Sequence, residues 1–428
     1  MSALPPGAVA PRPEVAPRLL APPLALYLHF PWCVKKCPYC DFNSHTLQGQ
    51  VPEQQYLEAL LADFSAQVPL GGGREISSIF LGGGTPSLFS PDAFAWLFAA
   101  IRGLLPLQPQ AEITLEANPG TIERGRFAEY RAAGINRVSL GAQSFSPAIL
   151  ARLGRIHSAD DTRVAAAELH AAGLSNFNLD LMYALPDQDL PGALADVRAA
   201  LQLQPAHLSH YQLTLEPGTV FGALPPSGLP DEDLAAQMQQ HCQEAIAAGG
   251  YQQYEVSAYA RSGAQCAHNL NYWNFGDYFG VGAGAHGKLT DTQRGMMARS
   301  VREREPRRYL ARGAAEPLLL REVGDDDLPF EFMMNALRLT AGFSRSAFEA
   351  RTGLPWSAIE LRVERLNERG LLEQASGLWR ATELGQRFLN DLIGAFLPDS
   401  PVSAPVRDAP GLSVRSPTRR KIPEGPVV

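Results

Sequence analysis

The sequence predicts an α/β fold, a parallel sheet with helices outside it, followed by a small winged-helix-like domain. Three observations predict it. Short apolar or β-branched runs alternate with amphipathic helical stretches from residue 24 to about residue 257, the pattern of a parallel sheet. Several helical stretches stop at glycine, at Gly134, Gly173 and Gly249, where a left-handed cap belongs. After residue 320 the texture changes to helical stretches around one alternating, hairpin-like segment.

The expected strands are 24–30, 75–81, 112–117, 136–140, 176–181, 208–215 and 251–257. The expected helices between them are 53–68, 91–104, 122–133, 160–172, 191–203 and 231–248. A partial barrel and an open doubly wound sheet both fit this alternation. In the last part, 328–339, 345–352 and 356–369 read as helices, 371–381 as a hairpin around Ser376 and Gly377, and 383–396 as a closing helix. The expected domains are therefore 24–315 and 320–397, between a disordered Pro-rich lead-in (1–23) and a disordered tail (398–428).

Composition narrows the function classes. The 428 residues carry 37 Lys and Arg against 44 Asp and Glu, a net charge of −7, so no global attraction for nucleic acid is expected. Glu360, Glu364 and Glu368 interleave with arginine on the helix that invites a DNA-binding reading, so its face is mixed rather than basic. No apolar run is long enough for a membrane span, and the start lacks the basic cluster of a secretory signal, so the expected location is the cytoplasm. Five cysteines in so long a chain argue against a disulfide scaffold.

Parallel α/β sheets place their sites at the carboxyl ends of the strands. Six strand ends here carry unusual residues. The first runs into Pro31-Trp-Cys-Val-Lys-Lys-Cys-Pro-Tyr-Cys40, and the second into Gly82-Gly-Gly-Thr-Pro-Ser87. The next four give Glu116-Ala-Asn118-Pro119, Gly141-Ala-Gln143-Ser-Phe145, Asp180-Leu-Met-Tyr183 and Thr214-Leu-Glu216-Pro-Gly-Thr219. One polar residue at a strand end is an ordinary turn former. Six together describe a lined cavity.

Cys33, Cys37 and Cys40 share one short loop. A closed zinc site needs a fourth nitrogen or sulfur ligand, and Cys242 and Cys266 are too far apart in sequence to supply a close pair. A [4Fe–4S] cube held by three thiolates keeps one iron without a protein ligand. Zinc and the cluster are both open at this point.

The spacing Cys33-x3-Cys37-x2-Cys40, with Tyr39 before the third cysteine, resembles the radical S-adenosylmethionine (SAM) superfamily. The resemblance implies a partial (β/α) barrel, a [4Fe–4S] cluster on Cys33, Cys37 and Cys40, SAM on its open iron, and an electron donor to the cluster. It narrows to the oxygen-independent coproporphyrinogen III oxidase family through residues 27–33, 82–87, 116–121, 137–145, 153–157, 178–183 and 211–219. Carried over by position, Tyr27, Tyr39, Gly83, Gly84, Thr85 and Glu116 would contact SAM, and Gln143, Arg155 and Asp180 would line the rest of the cavity. No catalytic residue is assigned.

Two departures select a branch. Oxidases of this family carry a further cysteine where this chain has Phe42. This chain also has His268-Asn-Leu-Asn-Tyr-Trp273, followed by Phe279-Gly-Val-Gly-Ala-Gly-Ala-His-Gly287. Both resemble the haem chaperone branch, whose members bind haem and pass it to haem-accepting proteins. The resemblance makes His268 the haem-binding candidate, with Tyr272 and Trp273 as flat apolar surface. Oxidative decarboxylation of coproporphyrinogen III is the competing expectation.

Overall fold

The structure is a computed structural model that describes residues 18–120, 126–312 and 320–398. The expected tail, apart from Pro398, and the lead-in up to residue 17 lie outside the described residues. The end of the expected lead-in is seated rather than loose. Leu19 is buried with the C-terminal core, and the Leu20 amide donates to the Ala350 carbonyl at 2.9 Å.

The strands of the main sheet are β1 (Leu24–Phe30), β2 (Ile76–Gly83), β3 (Leu107–Ala117), β4 (Arg137–Gln143), β5 (Phe177–Tyr183) and β6 (His207–Gln212). They continue as β7 (Gln252–Gln253), β8 (Ala258–Ala260), β9 (Asp277–Val281), β10 (His286–Asp291), β11 (Met296–Val301) and β12 (Leu320–Glu322). The order is β12-β11-β10-β9-β1-β2-β3-β4-β5-β6-β8-β7. Pairing is parallel from β9 through β1 to β6 and antiparallel at both flanks. The two end strands are not paired to each other, so the sheet is open, as a partial barrel requires.

Helices α1 (Glu53–Gln67), α2 (Pro91–Leu104), α3 (Phe127–Ala133), α4 (Pro147–Arg152), α5 (Ala159–Ala171), α6 (Leu190–Gln202), α7 (Glu232–Ala248) and α8 (Ala267–Trp273) lie between the strands. Local chemistry sets their ends. Ser90 caps α2, its hydroxyl accepting from the Ala93 amide, with Pro91 in the first turn. Ser158 and Asp161 form a capping box on α5. Gly134 ends α3 at φ 115°, but Gly249 keeps φ −73° after α7, and the left-handed residue is Gly250 at φ 86°.

The main core joins the inward faces of α1, α2, α5, α6 and α7 to the sheet, with Phe30, Phe64, Phe94, Phe98 and Phe177 fully enclosed. The C-terminal part has its own core, in which α9 (Leu328–Ala336), α10 (Arg345–Thr352), α11 (Glu360–Glu368) and a hairpin of β13 (Leu372–Ala375) and β14 (Leu378–Ala381) surround Phe332, Phe348 and Trp356. Two short helices, Glu383–Arg387 and Leu389–Gly394, stand where one was expected.

The strands differ from the expectation in two places. Of the expected 251–257 strand only Gln252–Gln253 (β7) is strand, paired antiparallel with β8 just beyond it at the sheet's far edge. Residues 121–125 of the expected third helix lie outside the described residues. Strand β9 was not expected, because Phe279-Gly-Val-Gly reads as a turn. It is a strand because Gly280 has no side chain to obstruct the His286 carbonyl, which would meet any Cβ there.

Candidate functional site

The six unusual strand ends lie on one rim. Gly82 and Gly83 end β2, Glu116 lies one residue from the end of β3, and Gln143 ends β4. Asp180 lies midway along β5. The parallel register sets Glu116 level with Ser139 and Asn178, with Asp180 and Gln143 further toward the carboxyl ends of their strands.

The cysteine loop leaves β1 and returns beside it. Its base is a short parallel ladder, Trp32 with His45 and Cys33 with Thr46. Cys33, Cys37 and Cys40 are half-buried, and none is in a disulfide. Burial pushes the Cys33 and Cys40 thiols up, and neighbouring loop cysteines add to it. The Thr85 hydroxyl opposes the shift at Cys33, and the Ser44 hydroxyl, 3.6 Å from Cys40 Sγ, opposes it at Cys40. Among the described residues, no three His, Cys, Asp or Glu side chains stand as a set for a single metal ion.

The glycine turn is pinned against this loop by its backbone. The Gly84 amide donates to the Phe30 carbonyl, and the Thr85 amide to the Trp32 carbonyl, both at 2.7 Å. A Cβ on Gly84 would lie 2.5 Å from the Trp32 oxygen, so glycine is what permits the approach. Gly83, at φ 108°, rests on the His29 imidazole, which a Cβ there would strike.

Glu116 accepts from the Gly83 amide at 3.1 Å. Burial, and next the charge of Asp180, push its carboxyl up to about 8 despite that bond. Burial also raises Asp180, against bonds from Asn178 and Ser139 at 2.7 and 3.2 Å. Tyr27 donates to His29 Nδ1 at 3.0 Å, and burial holds its hydroxyl well above the usual range. Thr85 accepts from Asn118 Nδ2 at 2.9 Å. Gln143, at φ 65° on a bulge in β4, accepts from the Tyr211 hydroxyl at 2.8 Å.

Arg155 joins the parts. Its guanidinium donates to Asn118 Oδ1, to the Gly141 carbonyl at 2.8 Å and to Cys37 Sγ at 3.6 Å. Its Nε is buried with no protein acceptor. Tyr39 packs on Phe221, rings 6.4 Å apart, and the Phe221 amide donates to the Pro38 carbonyl at 3.0 Å, covering the loop's far side. An orphaned donor on Arg155 and a neutral carboxyl on Glu116 fit an added ligand rich in oxygen and nitrogen, as SAM is.

His268 lies elsewhere. It is fully buried on α8, with Nδ1 2.9 Å from the Ser78 hydroxyl and Nε2 2.9 Å from the Tyr272 hydroxyl. Its amide donates to Glu112 at 3.2 Å. Burial, then the Arg137 charge, pushes the imidazole down to about 3, so it is neutral. Glu112 precedes Glu116 by four residues on β3, about 13 Å along a strand, so His268 stands toward the amino ends while the cysteines stand at the carboxyl ends. Tyr272 and Trp273 are buried there too. The candidate imidazole is thus buried with both ring nitrogens partnered, a level below the rim. Cys266 donates to Glu112 at 3.4 Å, and Cys242 is buried in α7.

Sequence reasoning missed His29 and Asn43. His29 Nε2 reaches the Asn43 carbonyl at 2.9 Å. The signal was the polar histidine inside the apolar run Leu24–Phe30.

Comparison with known proteins places the chain in a family. Residues 27–197 match the Radical SAM superfamily model, and residues 324–388 match the HemN C-terminal domain. The chain is thus a radical SAM protein with a HemN-type C-terminal domain. It is 50% identical over 376 residues to heme chaperone HemW of Escherichia coli (strain K12), covering 88% of this chain and 98% of that one. It is 34% identical to heme chaperone HemW of Bacillus subtilis (strain 168), over 87% of this chain and 98% of that one. Within the class, it belongs to the HemW family. The structure of coproporphyrinogen III oxidase (HemN) from Escherichia coli superposes with a TM-score of 0.74 at 22% identity, over 89% of this chain and 91% of that one, a likeness of fold. Among the described residues no helix is long and apolar enough to cross a membrane.

Proposed function

We propose that this chain holds a [4Fe–4S] cluster and SAM on its rim and carries haem to haem-accepting proteins in the cytoplasm. What most supports the haem part is the 50% identity to a heme chaperone HemW across 98% of that protein's length. Phe42, where the oxidase branch carries a further cysteine, points the same way.

Cys33, Cys37 and Cys40 are the cluster ligands in this reading. When bound, the cluster supplies single electrons, and an external donor must reload it. The rest is the work of this chain's own groups. Gly83 and Gly84 let the turn close on His29 and on the Trp32 carbonyl, which sets its backbone beside the cysteine loop, with Thr85 next to them. Glu116, neutral near pH 7, can donate as well as accept toward hydroxyls or an amine. Arg155 offers Nε to a ligand oxygen, while its Nη2 holds both Asn118 and the Gly141 carbonyl and its Nη1 reaches Cys37 Sγ. Tyr27, Tyr39, Gln143 and Asp180 complete the cavity wall.

Haem ligation falls to His268 by resemblance. That role needs Tyr272 to give up Nε2, because the neutral imidazole otherwise has no open nitrogen. A cluster-loaded sample tests the whole reading: saturable haem binding without conversion of coproporphyrinogen III is expected, and turnover with SAM and a reductant would return the chain to the oxidase reading.

A further inference from the structure

We propose that Asn43 is a positioning residue for the cluster loop, tying it to a turn and a strand exit far outside the stretch that matches the radical SAM model. The proposal rests on the reading of Cys33, Cys37 and Cys40 as cluster ligands.

The ladder at the loop's base fixes its two ends, and the Leu47 amide closes it on the Cys33 carbonyl at 2.8 Å. Asn43 holds the returning arm, three residues after Cys40. Its Nδ2 donates to the carbonyls of Ala283 and Arg304, both at 2.9 Å. Its Oδ1 faces His45 Nε2 at 3.3 Å. Its own carbonyl accepts from His29 Nε2 at 2.9 Å. A nitrogen that donates to a carbonyl carries the proton, so in the neutral ring Nδ1 is the acceptor, and Tyr27 donates to it at 3.0 Å. Burial, opposed by that bond to Asn43, pushes His29 down to about 4, which keeps the ring neutral.

One residue thus links the cysteine loop to residues 283–304 through its side chain, and to the Tyr27 hydroxyl through its backbone carbonyl and His29. The receiving turn is shaped for it. Gly284 sits at φ +80°, and a Cβ there would run into the Asn43 amide. The Gly284 amide in turn donates to the Glu303 carbonyl at 2.8 Å, which holds the turn beside Arg304. Both partners of Nδ2 are carbonyls, so the facing group must be a donor. Aspartate would set an oxygen against two oxygens, and serine would be too short to reach both. Groups that orient a metal's ligands weigh on metal retention about tenfold or more when removed.

The test uses the full chain, reconstituted anaerobically with iron and sulfide. Asn43→Asp, Asn43→Ser and Gly284→Ala are compared with wild type by three readouts: iron release to a chelator, the electron paramagnetic resonance signal of the reduced cluster with and without SAM, and the Tm of the metal-free chain. Iron release about tenfold faster and a lost or altered SAM-dependent signal are expected for Asn43→Asp and Gly284→Ala, with Asn43→Ser between. Wild-type iron release and wild-type signals in all three variants overturn the proposal. So does a lowered Tm with unchanged cluster signals, which would make Asn43 merely structural. A wild-type chain that takes up no iron and sulfide removes the cluster reading itself, and the proposal falls with it.

Discussion

The Tyr272 hydroxyl lies 2.9 Å from His268 Nε2, and that bond occupies the nitrogen a haem iron would need. Ser78 occupies the other. If His268 holds haem, as proposed, a bond inside α8 sets how available its imidazole is. Tyr272→Phe should strengthen haem binding, because it leaves a bare lone pair, and His268→Ala should weaken it. Titration followed at the Soret band checks both. Two unchanged affinities would remove the imidazole from the role and leave it the plug that its burial describes.

Glu116 makes the rim's charge depend on pH. Its carboxyl is raised to about 8 by burial and then by Asp180, against an ordinary value near 4.5. A raised acid favours the folded state fully below its unfolded value, and the advantage is lost as pH rises through the folded value. Between these limits the loss is about 1.4 kcal/mol per pH unit. Glu116→Gln removes this dependence, so its Tm should match wild type near pH 4.5 and exceed it at pH 8.5. Parallel Tm curves would contradict the assignment.

Buried histidines act in the opposite direction. His29, His157 and His210 are pushed down to about 4, chiefly by burial, and His268 to about 3. Unfolded histidines take up protons below about pH 6.5 while these do not, so stability falls as pH falls from there toward 4. Urea unfolding from pH 7 to 4.5 should show a steep loss. A flat profile over that range would mean that these rings are protonated in the folded chain.

Two glycines give opposite stability changes. A Cβ at Gly84 meets the carbonyls of Trp32 and Phe30 at 2.5 and 2.8 Å, so Gly84→Ala should cost about 1–3 kcal/mol. Gly103 is exposed near the end of α2, with nothing within 4 Å, and Gly103→Ala should gain up to about 1 kcal/mol. Denaturant midpoints measure both. Equal shifts would contradict the backbone contact at Gly84.

The loop cysteines should separate from the other two. Wild type reconstituted without oxygen should hold about four irons and matching sulfide per chain. Serine at Cys33, Cys37 or Cys40 should lower that count, and Cys242→Ala, inside α7, should leave it unchanged. One tightly held zinc and no sulfide would sink the cluster reading.

Much of the rim was legible because short apolar or β-branched runs locate strand ends, and polar residues at those ends, such as Glu116 and Gln143, have few places to go. Depth along a strand was not legible. His268 was named as a candidate without a depth; its partners, Ser78 near the start of β2 and Glu112 four residues before Glu116 on β3, set it below the rim, and sequence spacing does not say at which level a later helix will dock. The two polar residues in those strands were the available clue. Strand β9 was hidden by Gly280, which serves a close approach to the His286 carbonyl, and by the glycines that follow it. Asn43 was invisible because both carbonyls it holds come from beyond residue 280.

The central claim is that this chain binds haem as cargo. The most direct measurement adds haem stepwise to the anaerobic, cluster-loaded chain in the presence of coproporphyrinogen III, SAM and a reductant. The account predicts a saturable Soret change at one haem per chain and no protoporphyrinogen. A Soret change that never saturates, or steady formation of protoporphyrinogen, would contradict it.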